Sequence, residues 1–189
     1  PIVGIVILAQ GLADFGSLLF NRRARSKEWE MAIASTLNNH IILIGLGHLG
    51  YRIVQQLHEM GENVAVVEIN SASDTVAAVR ALNIPVIADD ATRPSALEAA
   101  NIREARTIIL ASQHDAMNLQ IALRARSLNP KIQVVIRLFD EDFARSLQEQ
   151  FGFIALSATE MAAPVFAAAA AGADVVGVNC SVGPHGVLE

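Results

Sequence analysis

From residue 40 onward the sequence alternates short apolar runs with stretches of helical periodicity. The runs rich in Ile, Val and Leu that we predict as strands are residues 41–44, 64–69, 84–88, 107–111, 132–138 and 153–156. Between the first two runs, Leu49, Ile53 and Leu57 recur at every fourth position, which is typical of one face of a helix. Six strands separated by helices predict an α/β fold with a Rossmann-like doubly wound parallel sheet.

The predicted helices end at residues that favour chain breaks or caps. Gly61 and Gly152 follow two of them, and Asn129 with Pro130 stops a third. Asp140 is suited to cap a fourth, because its carboxylate can accept a hydrogen bond from a first-turn amide.

The segment before the predicted sheet has a different character. Residues 1–20 are almost wholly apolar, interrupted only by Gln10, Asp14 and Ser17. A helix of this length spans about 30 Å, the thickness of a bilayer's hydrocarbon layer. Residues 22–27 then supply four basic side chains, as cytoplasmic flanks of membrane helices do. We therefore predict a membrane helix. A signal peptide is disfavoured because the basic cluster follows the apolar run, and a buried soluble helix because residues 2–9 lack a polar face.

Two interpretations stand for Asp14: it faces protein or water within the membrane, or it lies at the interface on a tilted helix. Because the chain begins at Pro1 without a methionine, we expect it to be a fragment preceded by further membrane helices. Residues 21–39 are predicted to form a basic and helical linker, in which Trp29 suits the headgroup region.

The candidate chemistry begins with a glycine loop directly after the first strand. Residues 45–50 fit the G-x-G-x-x-G pattern and open a helix. Gly45 permits the tight turn, Gly47 lets the backbone approach a pyrophosphate, and Gly50 allows the helix to pack closely on the strand. Free amides and the positive end of the helix dipole then favour phosphate. Glu68, at the end of the second strand, is placed to accept hydrogen bonds from a ribose 2′-hydroxyl.

The residues around this acid narrow the choice of ligand. Ile69 and Asn70 follow Glu68, so neither Arg nor Lys is adjacent to meet a 2′-phosphate. NAD or NADH is therefore favoured over NADP, whereas ATP and ADP carry the same free ribose and stay candidates. After the third strand, Asp90 is positioned to contact the adenosine, while Asp90 or Thr92 can cap the next helix, and the two roles can coexist.

Composition excludes several classes of protein. Hydrophobic residues make up 52% of the 189 residues, which excludes intrinsic disorder. The net charge of −5, with basic residues concentrated near residue 22, gives no basic stripe of the kind that binds nucleic acid. A single cysteine, Cys180, excludes an intrachain disulfide framework and agrees with a reducing compartment.

Together these residues resemble the RCK domain, also called the KTN or TrkA-N domain, over roughly residues 40–172. The family regulates potassium channels and transporters from the cytoplasmic side. The positions that carry the resemblance are residues 40–50, Glu68, 90–92, 97–102, Asn118 and Arg137. His48 departs from the Arg that the family often has near the phosphates, and Asp89 departs from its usual glycine.

The resemblance implies that the glycine loop and Glu68 hold a nucleotide and that Asp90 lies near its adenosine. The candidate cofactor-binding residues are Gly45, Leu46, Gly47, His48, Leu49, Gly50, Glu68, Ile69, Asp89, Asp90, Ala91 and Ser112. We predict neither a catalytic residue nor a resident metal ion.

The resemblance also interprets the two ends of the chain. Residues 1–20 are similar to the C-terminal part of the pore-lining helix of a two-helix potassium channel, although the chain lacks a selectivity-filter sequence. Residues 40–157 would be the nucleotide-binding N-domain. Residues 158–189 would hold the crossover helix through which RCK domains pair, a further strand at 175–182 and the start of a truncated C-terminal part. An ordinary helix covering the sheet is the alternative for the Ala-rich segment after residue 157.

The strongest rival from another class is an NAD-dependent oxidoreductase, because it shares the loop and the acid. Such an enzyme needs a proton donor or acceptor over the nicotinamide, and His114 beside Asp115 is the candidate at the right edge of the sheet. Acidic clusters at 89–90 and 140–142 could hold a divalent ion, although capping explains them more simply. No Cys or His pairs occur at metal-ligand spacing.

The function that the sequence predicts is a nucleotide-sensing gating domain of a potassium channel or related monovalent-cation transporter. We expect it to act as a homo-oligomer of paired domains, a dimer or a higher ring, attached to a membrane-embedded pore or transporter. Potassium would be the transported ion, and residues from about 21 onward would be cytoplasmic.

Overall fold

Six parallel strands form the centre of the molecule in the computed structural model, which describes residues 28–171. The strands are β1 (Ile41–Ile44), β2 (Val64–Val67), β3 (Val86–Ile87), β4 (Thr107–Leu110), β5 (Gln133–Leu138) and β6 (Ile154–Ser157). Their order in the sheet is β3-β2-β1-β4-β5-β6, and all five neighbouring pairs are parallel. This order confirms the predicted doubly wound, Rossmann-like sheet.

Helices connect successive strands and cover both faces of the sheet. Helix α1 occupies residues 28–36. The others are α2 (His48–Glu59), α3 (Asp74–Ala81), α4 (Pro94–Ala99), α5 (Asp115–Leu128), α6 (Glu141–Phe151) and α7 (Ala158–Ala170). Within residues 28–171, no helix combines the length and apolar character needed to cross a bilayer. The predicted membrane helix at 1–20, the basic cluster at 22–27, Cys180 and the predicted strand at 175–182 lie outside the described residues.

Alternate side chains of β1 enter two separate cores. On β1, Ile42 and Ile44 pack into the cluster that also contains Leu97 and Ile121, from α4 and α5. Leu43 points to the opposite face, in the cluster with residues of α2 and α3. Because β1 and β2 are buried on both faces, their sequences are unbroken apolar runs.

Two predicted strands are shorter in the structure than in the sequence pattern by two or more residues. The predicted strand at 64–69 ends at Val67, because the Glu68 carboxylate accepts hydrogen bonds from backbone amides and the chain turns there. The strand predicted at 84–88 is reduced to Val86–Ile87. It lies at the sheet edge directly after Pro85, which has no amide hydrogen to add to the ladder.

The predicted helix ends agree with the caps that the structure contains. The side chain of Asp140 accepts a hydrogen bond from Phe143 N at 2.9 Å and so caps α6. Gly152 ends the same helix with φ +63°, a left-handed conformation that favours glycine. Helix α5 ends at Leu128, one residue before Asn129.

Helix α1 is docked against the rest of the domain. Ala34 is fully buried in the core that contains Ile42. Glu30 forms a two-pronged ion pair with Arg80 near the end of α3, with N–O distances of 2.5 and 3.0 Å. After the helix, Leu37 O accepts a hydrogen bond of 2.9 Å from the Asn101 side chain. Residues 30–37 are therefore fixed to the sheet-bearing part of the chain by both packing and polar bonds.

His40, just before β1, is a buried histidine with an incomplete set of hydrogen bonds. Its Nε2 lies 2.9 Å from Ala100 O, so this nitrogen carries the proton and donates it. Its Nδ1 is buried and has no partner among the described residues. Burial lowers the pKa of His40 below its ordinary value of 6.5, the bond to Ala100 opposes this shift, and the charge of Arg106 adds to it.

This histidine predicts a dependence of stability on pH. Above pH 6.5 the imidazole is neutral in both states, whereas below it the unfolded chain takes up a proton that the fold resists. The free energy of unfolding should therefore fall on acidification from pH 7.5 to 5.5, by no more than about 1.4 kcal/mol per pH unit from this one group. Urea unfolding at both pH values measures the fall, and His40→Gln should reduce it. An equal fall in wild type and variant would contradict this account.

Candidate functional site

The glycine loop between β1 and α2 is held in place by backbone and side-chain hydrogen bonds. Gly45 has φ +89° and donates from its amide to Val67 O at 3.0 Å. The Leu46 amide donates to Glu68 Oε2 at 2.6 Å, and Leu46 O accepts from Thr75 Oγ1 at 2.9 Å. The loop is therefore braced by residues that follow β2 and by the first turn of α3.

The three loop glycines meet different structural demands. A Cβ on Gly50 would lie 1.9 Å from Gly45 O, so α2 packs against the strand at a distance that only glycine allows. Gly45 needs its positive φ, which side chains strongly disfavour. A Cβ on Gly47 would meet no atom within 4 Å. The space in front of Gly47 is therefore open to a ligand.

A crevice of about 450 Å³ lies above the carboxyl ends of the strands, beside this loop. Ten of the twelve predicted site residues line it: Gly45, Gly47, His48, Leu49, Glu68, Ile69, Asp89, Asp90, Ala91 and Ser112. Leu46 and Gly50 do not. Both are buried, and their contacts with Glu68 and Gly45 shape the loop from behind. Leu49, one of the ten, is 41% exposed at the crevice.

The acidic side of the crevice is made by residues that follow β2 and β3. Glu68 Oε1 accepts from Asn70 N at 2.8 Å, while its Oε2 accepts from the loop. Each oxygen keeps a further lone pair for a ligand hydroxyl. Asp90 Oδ1 accepts from both the amide and the hydroxyl of Thr92, at 2.9 and 2.8 Å. These bonds, with a smaller contribution from Arg93, hold the pKa of Asp90 below its ordinary value, so it is ionised at neutral pH.

The opposite side of the crevice is organised by Asn118, which our sequence analysis did not place in the site. Its Nδ2 donates to Ser112 O and to Arg137 O, each at 3.0 Å, and its Oδ1 accepts from Ser112 Oγ at 2.6 Å. Asn118 is fully buried and therefore ties the ends of β4 and β5 together. The sequence feature that could have identified Asn118 is a polar amide side chain on the buried face of α5, which it shares with Ile121, Ala122 and Ala125.

The crevice also contains residues that sequence reasoning considered for other purposes or missed. His114 lines it and is exposed. Its neighbour Asp115 accepts a hydrogen bond from Phe139 N at 2.9 Å, so this carboxylate faces β5. Met117, Ile121 and Arg137 complete this wall. Among residues 28–171, no group of three or more His, Cys, Asp or Glu side chains is arranged to hold a metal ion.

The arrangement combines features that suit a nucleotide. Amides at the start of α2 and the positive end of that helix point toward an open space, which favours phosphate. Glu68 offers free acceptor positions for ribose hydroxyls. The apolar side chains of Val67, Ile69 and Ala91 line the same part of the crevice and can pack against a base. A crevice of this size is typical of small-molecule sites.

A second cavity, which we call the apolar trough, lies between α2 and α7 on one face of the sheet. It has a volume of about 570 Å³ and is lined by Leu49, Ile53, Ile109, Leu110, Ala111, Val135, Arg137, Leu156, Met161, Ala162, Val165 and Phe166. Residues 159–170 of α7 include no fully buried side chain, and Phe166 is 75% exposed. Residues 28–171 therefore cover the face of β4 to β6 beside α7 only in part, unlike the usual doubly wound sheet.

Comparison with known proteins matches this region to one family. The family model of the TrkA-N domain matches residues 41–159. A Trk system potassium uptake protein TrkA homolog of Pyrococcus abyssi is 32% identical over 112 residues, which cover 58% of this chain and 48% of the relative. Potassium channel protein 1 of Methanocaldococcus jannaschii is 32% identical over 101 residues, covering 53% and 30%. The chain thus spans less than half the length of either relative.

Solved structures share the fold at low sequence identity. The TrkA-N domain of the inner membrane protein ybaL from Escherichia coli is 20% identical, with a TM-score of 0.63 over 70% of this chain and 96% of that one. The Kef CTD of Shewanella denitrificans in its AMP bound form has a TM-score of 0.59, is 20% identical and covers 71% and 82%. The GsuK channel bound to NAD has a TM-score of 0.51, is 20% identical and covers 60% and 20%.

Proposed function

The chain belongs to the TrkA-N domain family, and from this premise we propose that it is the nucleotide-sensing, gating part of a potassium channel or related monovalent-cation transporter. The observation that carries the proposal is the crevice itself, in which the open space before Gly47 meets the unfilled acceptor positions of Glu68. The names of the two relatives, a potassium uptake protein and a potassium channel, support the choice of ion.

NAD or NADH is the ligand that we propose first, with ATP and ADP as the alternatives. Solved structures of this fold are described with AMP and with NAD, which supports an adenosine nucleotide in general. The residues around Glu68 also distinguish NAD from NADP. Because Ile69 and Asn70 follow it and the carboxylate is negative, a 2′-phosphate would meet repulsion without a compensating cation. NADP should therefore bind more weakly than NAD.

We propose that two copies of the chain pair across the apolar trough, with α7 as the crossover helix. The trough exposes Phe166 and half-buried side chains of β4 to β6, and an apolar face of this kind is stabilised when a second surface covers it. A pair of domains, or a ring built from such pairs, would sit on the cytoplasmic side of a membrane-embedded pore, with residues from about 21 onward in the cytoplasm.

The proposed mechanism follows from the positions of the crevice and of α1. Nucleotide binding would stabilise one arrangement of the paired domains over another, and residues 28–39 would pass that difference toward the membrane part. A ligand changes gating only through its differential affinity for the two arrangements, which is typically worth about 1 to 3 kcal/mol.

Calorimetric titration of the whole 189-residue chain with NAD, NADH, ATP, ADP and NADP tests the proposal. Glu68→Gln keeps the size of the side chain but removes its charge and one acceptor. We expect it to weaken the best ligand about tenfold, since hydrogen bonds to charged groups are the stronger ones. Glu98→Gln is the matched control, because Glu98 forms a surface pair with Arg103 outside the crevice.

Two outcomes decide the matter. Binding that Glu68→Gln weakens and Glu98→Gln leaves unchanged supports a nucleotide site in the crevice. If the wild-type chain binds none of the five compounds at millimolar concentration, the crevice is not a nucleotide sensor and the proposal is abandoned.

A further inference from the structure

Arg137, on β5, lies at the border of the crevice and the apolar trough and pairs with no carboxylate among residues 28–171. Its Nε is buried and finds no acceptor among the described residues. Its guanidinium carbon lies 4.7 Å from the centre of the Phe139 ring. Because Arg137 lines the crevice and no described carboxylate neutralises it, its guanidinium is suited to pair with an anion bound in the crevice.

The backbone of Arg137 is fixed although its Nε has no acceptor among residues 28–171. Arg137 O accepts the hydrogen bond from the buried Asn118 side chain, and Ser112 O accepts from the same amide. Arg137 and Ser112 are thus held at neighbouring strand ends, both on the crevice wall. The cation is presented by a rigid element, which reduces the entropy cost of using it.

The acidic and basic side chains of the crevice lie on opposite sides of the glycine loop. Glu68, Asp89 and Asp90 lie beyond β2 and β3, on one side of the glycine loop. Arg137 lies on the other side, because the sheet order places β4 and β5 opposite to β2 and β3. It is the only Lys or Arg that lines the crevice in the part of the chain that the structure describes. The loop itself, residues 45–50, contains neither Lys nor Arg.

This polarity orients an adenosine nucleotide. Its ribose belongs on the acidic side, where Glu68 can accept hydrogen bonds from the ribose hydroxyls, and its first phosphate belongs at the amides of the loop. The following anionic group then points away from the acids and toward β5. Neighbouring strands are about 4.8 Å apart, so β5 lies about 10 Å from β1. The long side chain of Arg137 and a second phosphate together can span this distance.

We propose that Arg137 binds the phosphate beyond the first one and so makes the site selective for nucleotides with two or more phosphates, such as ADP, ATP and NAD, over AMP and adenosine. The proposal rests on the proposed function, since it assumes that the crevice holds a nucleotide. It adds Arg137 to the nucleotide site and predicts which nucleotides the site prefers. Arg suits this role because its planar guanidinium donates two parallel hydrogen bonds to phosphate oxygens.

The test compares adenosine, AMP, ADP, ATP and NAD by calorimetry on the whole chain. We expect the wild-type protein to bind ADP and NAD at least about tenfold more tightly than AMP, as a charge-assisted contact of this kind provides. Arg137→Gln should remove most of that preference while changing the affinity for AMP less than twofold. Arg137→Lys, which keeps the charge but not the paired donors, should give an intermediate preference.

Arg126 provides a closely matched control. Its Nε is also buried without an acceptor, and its guanidinium carbon lies 5.3 Å from the centre of the Phe153 ring. It does not line the crevice. Arg126→Gln should therefore leave the preference for ADP over AMP unchanged. Circular dichroism of each variant establishes that it is folded, and Arg137→Lys carries the test if Arg137→Gln does not fold.

The outcomes separate this proposal from the one on which it rests. Wild-type protein that binds AMP as tightly as ADP, or an Arg137→Gln variant that loses AMP and ADP equally, overturns the role of Arg137 while the nucleotide site stands. A variant with unchanged preference but altered pairing of chains assigns Arg137 to the apolar trough and overturns the proposal as well. Absence of binding by every compound removes the proposed function itself.

Discussion

Gly50→Ala is expected to destabilise the domain by about 3 kcal/mol or more, because the new methyl group would lie 1.9 Å from Gly45 O. The obstacle is backbone, so relief requires α2 to move away from β1. That shift would also disturb the turn at Gly45, whose positive φ leaves little alternative. Chemical denaturation followed by circular dichroism measures the effect as a lower midpoint with an unchanged slope.

Gly47→Ala is the matched substitution in the same loop. Its backbone, with φ −70° and ψ −168°, suits any residue, and its methyl group would meet no atom within 4 Å. We expect stability to change by less than about 1 kcal/mol. Nucleotide affinity should fall, since the methyl group occupies the space where a phosphate would approach the amides. Equal destabilisation by both substitutions would show that the close approach of Gly50 to Gly45 is not the cause.

Phe166→Asp is expected to convert paired chains to single chains. The side chain is 75% exposed, so the fold of one chain loses little when it is replaced. In a pair it would lie in the covered trough, where a carboxylate without a partner is costly. We expect the dissociation constant of the pair to rise more than about 100-fold, which corresponds to about 2.7 kcal/mol. Native mass spectrometry, which counts chains directly, measures the change.

Met60→Asp separates this effect from a general response to a new surface charge. Met60 follows α2, is 72% exposed and does not line the trough. It should leave the pairing unchanged. Pairing that persists in Phe166→Asp would mean that the chains associate through another surface, and the role given to α7 would then have to be withdrawn.

The topology was predictable because its determinants are local and repeated. The apolar runs of β1 and β2 are buried on both faces, and a parallel sheet with helices on both sides gives that environment. Glu68 and the glycine loop were predictable as neighbours for the same reason, since the carboxyl ends of parallel strands share one edge. Strand ends were less predictable. The turn after Val67 depends on bonds from Glu68 to Leu46, 22 positions away.

The far wall of the crevice could not be derived from spacing alone. Asn118 acts through bonds to Ser112 and to Arg137, and these bonds exist only once α5 packs beside β4 and β5. Arg137 entered our sequence analysis as part of a resemblance without a role. Arg137 forms no ion pair with a described carboxylate, and this follows from which residues the fold places around it. A single sequence does not show those neighbours. The partly covered face beside α7 has the same origin.

The docking of α1 determines how mechanical force would enter this domain. If residues 28–39 were a free coil, their ends would fluctuate over roughly 19 Å, and that slack would absorb small displacements. Instead Glu30 is anchored to Arg80, at the last turn of α3, and Thr75, in the first turn of the same helix, bonds to Leu46 in the glycine loop. Helix α3 therefore connects the loop, near its first turn, to α1, near its last turn. We expect a displacement of α1 to shift the loop, and a displacement of the loop to shift α1.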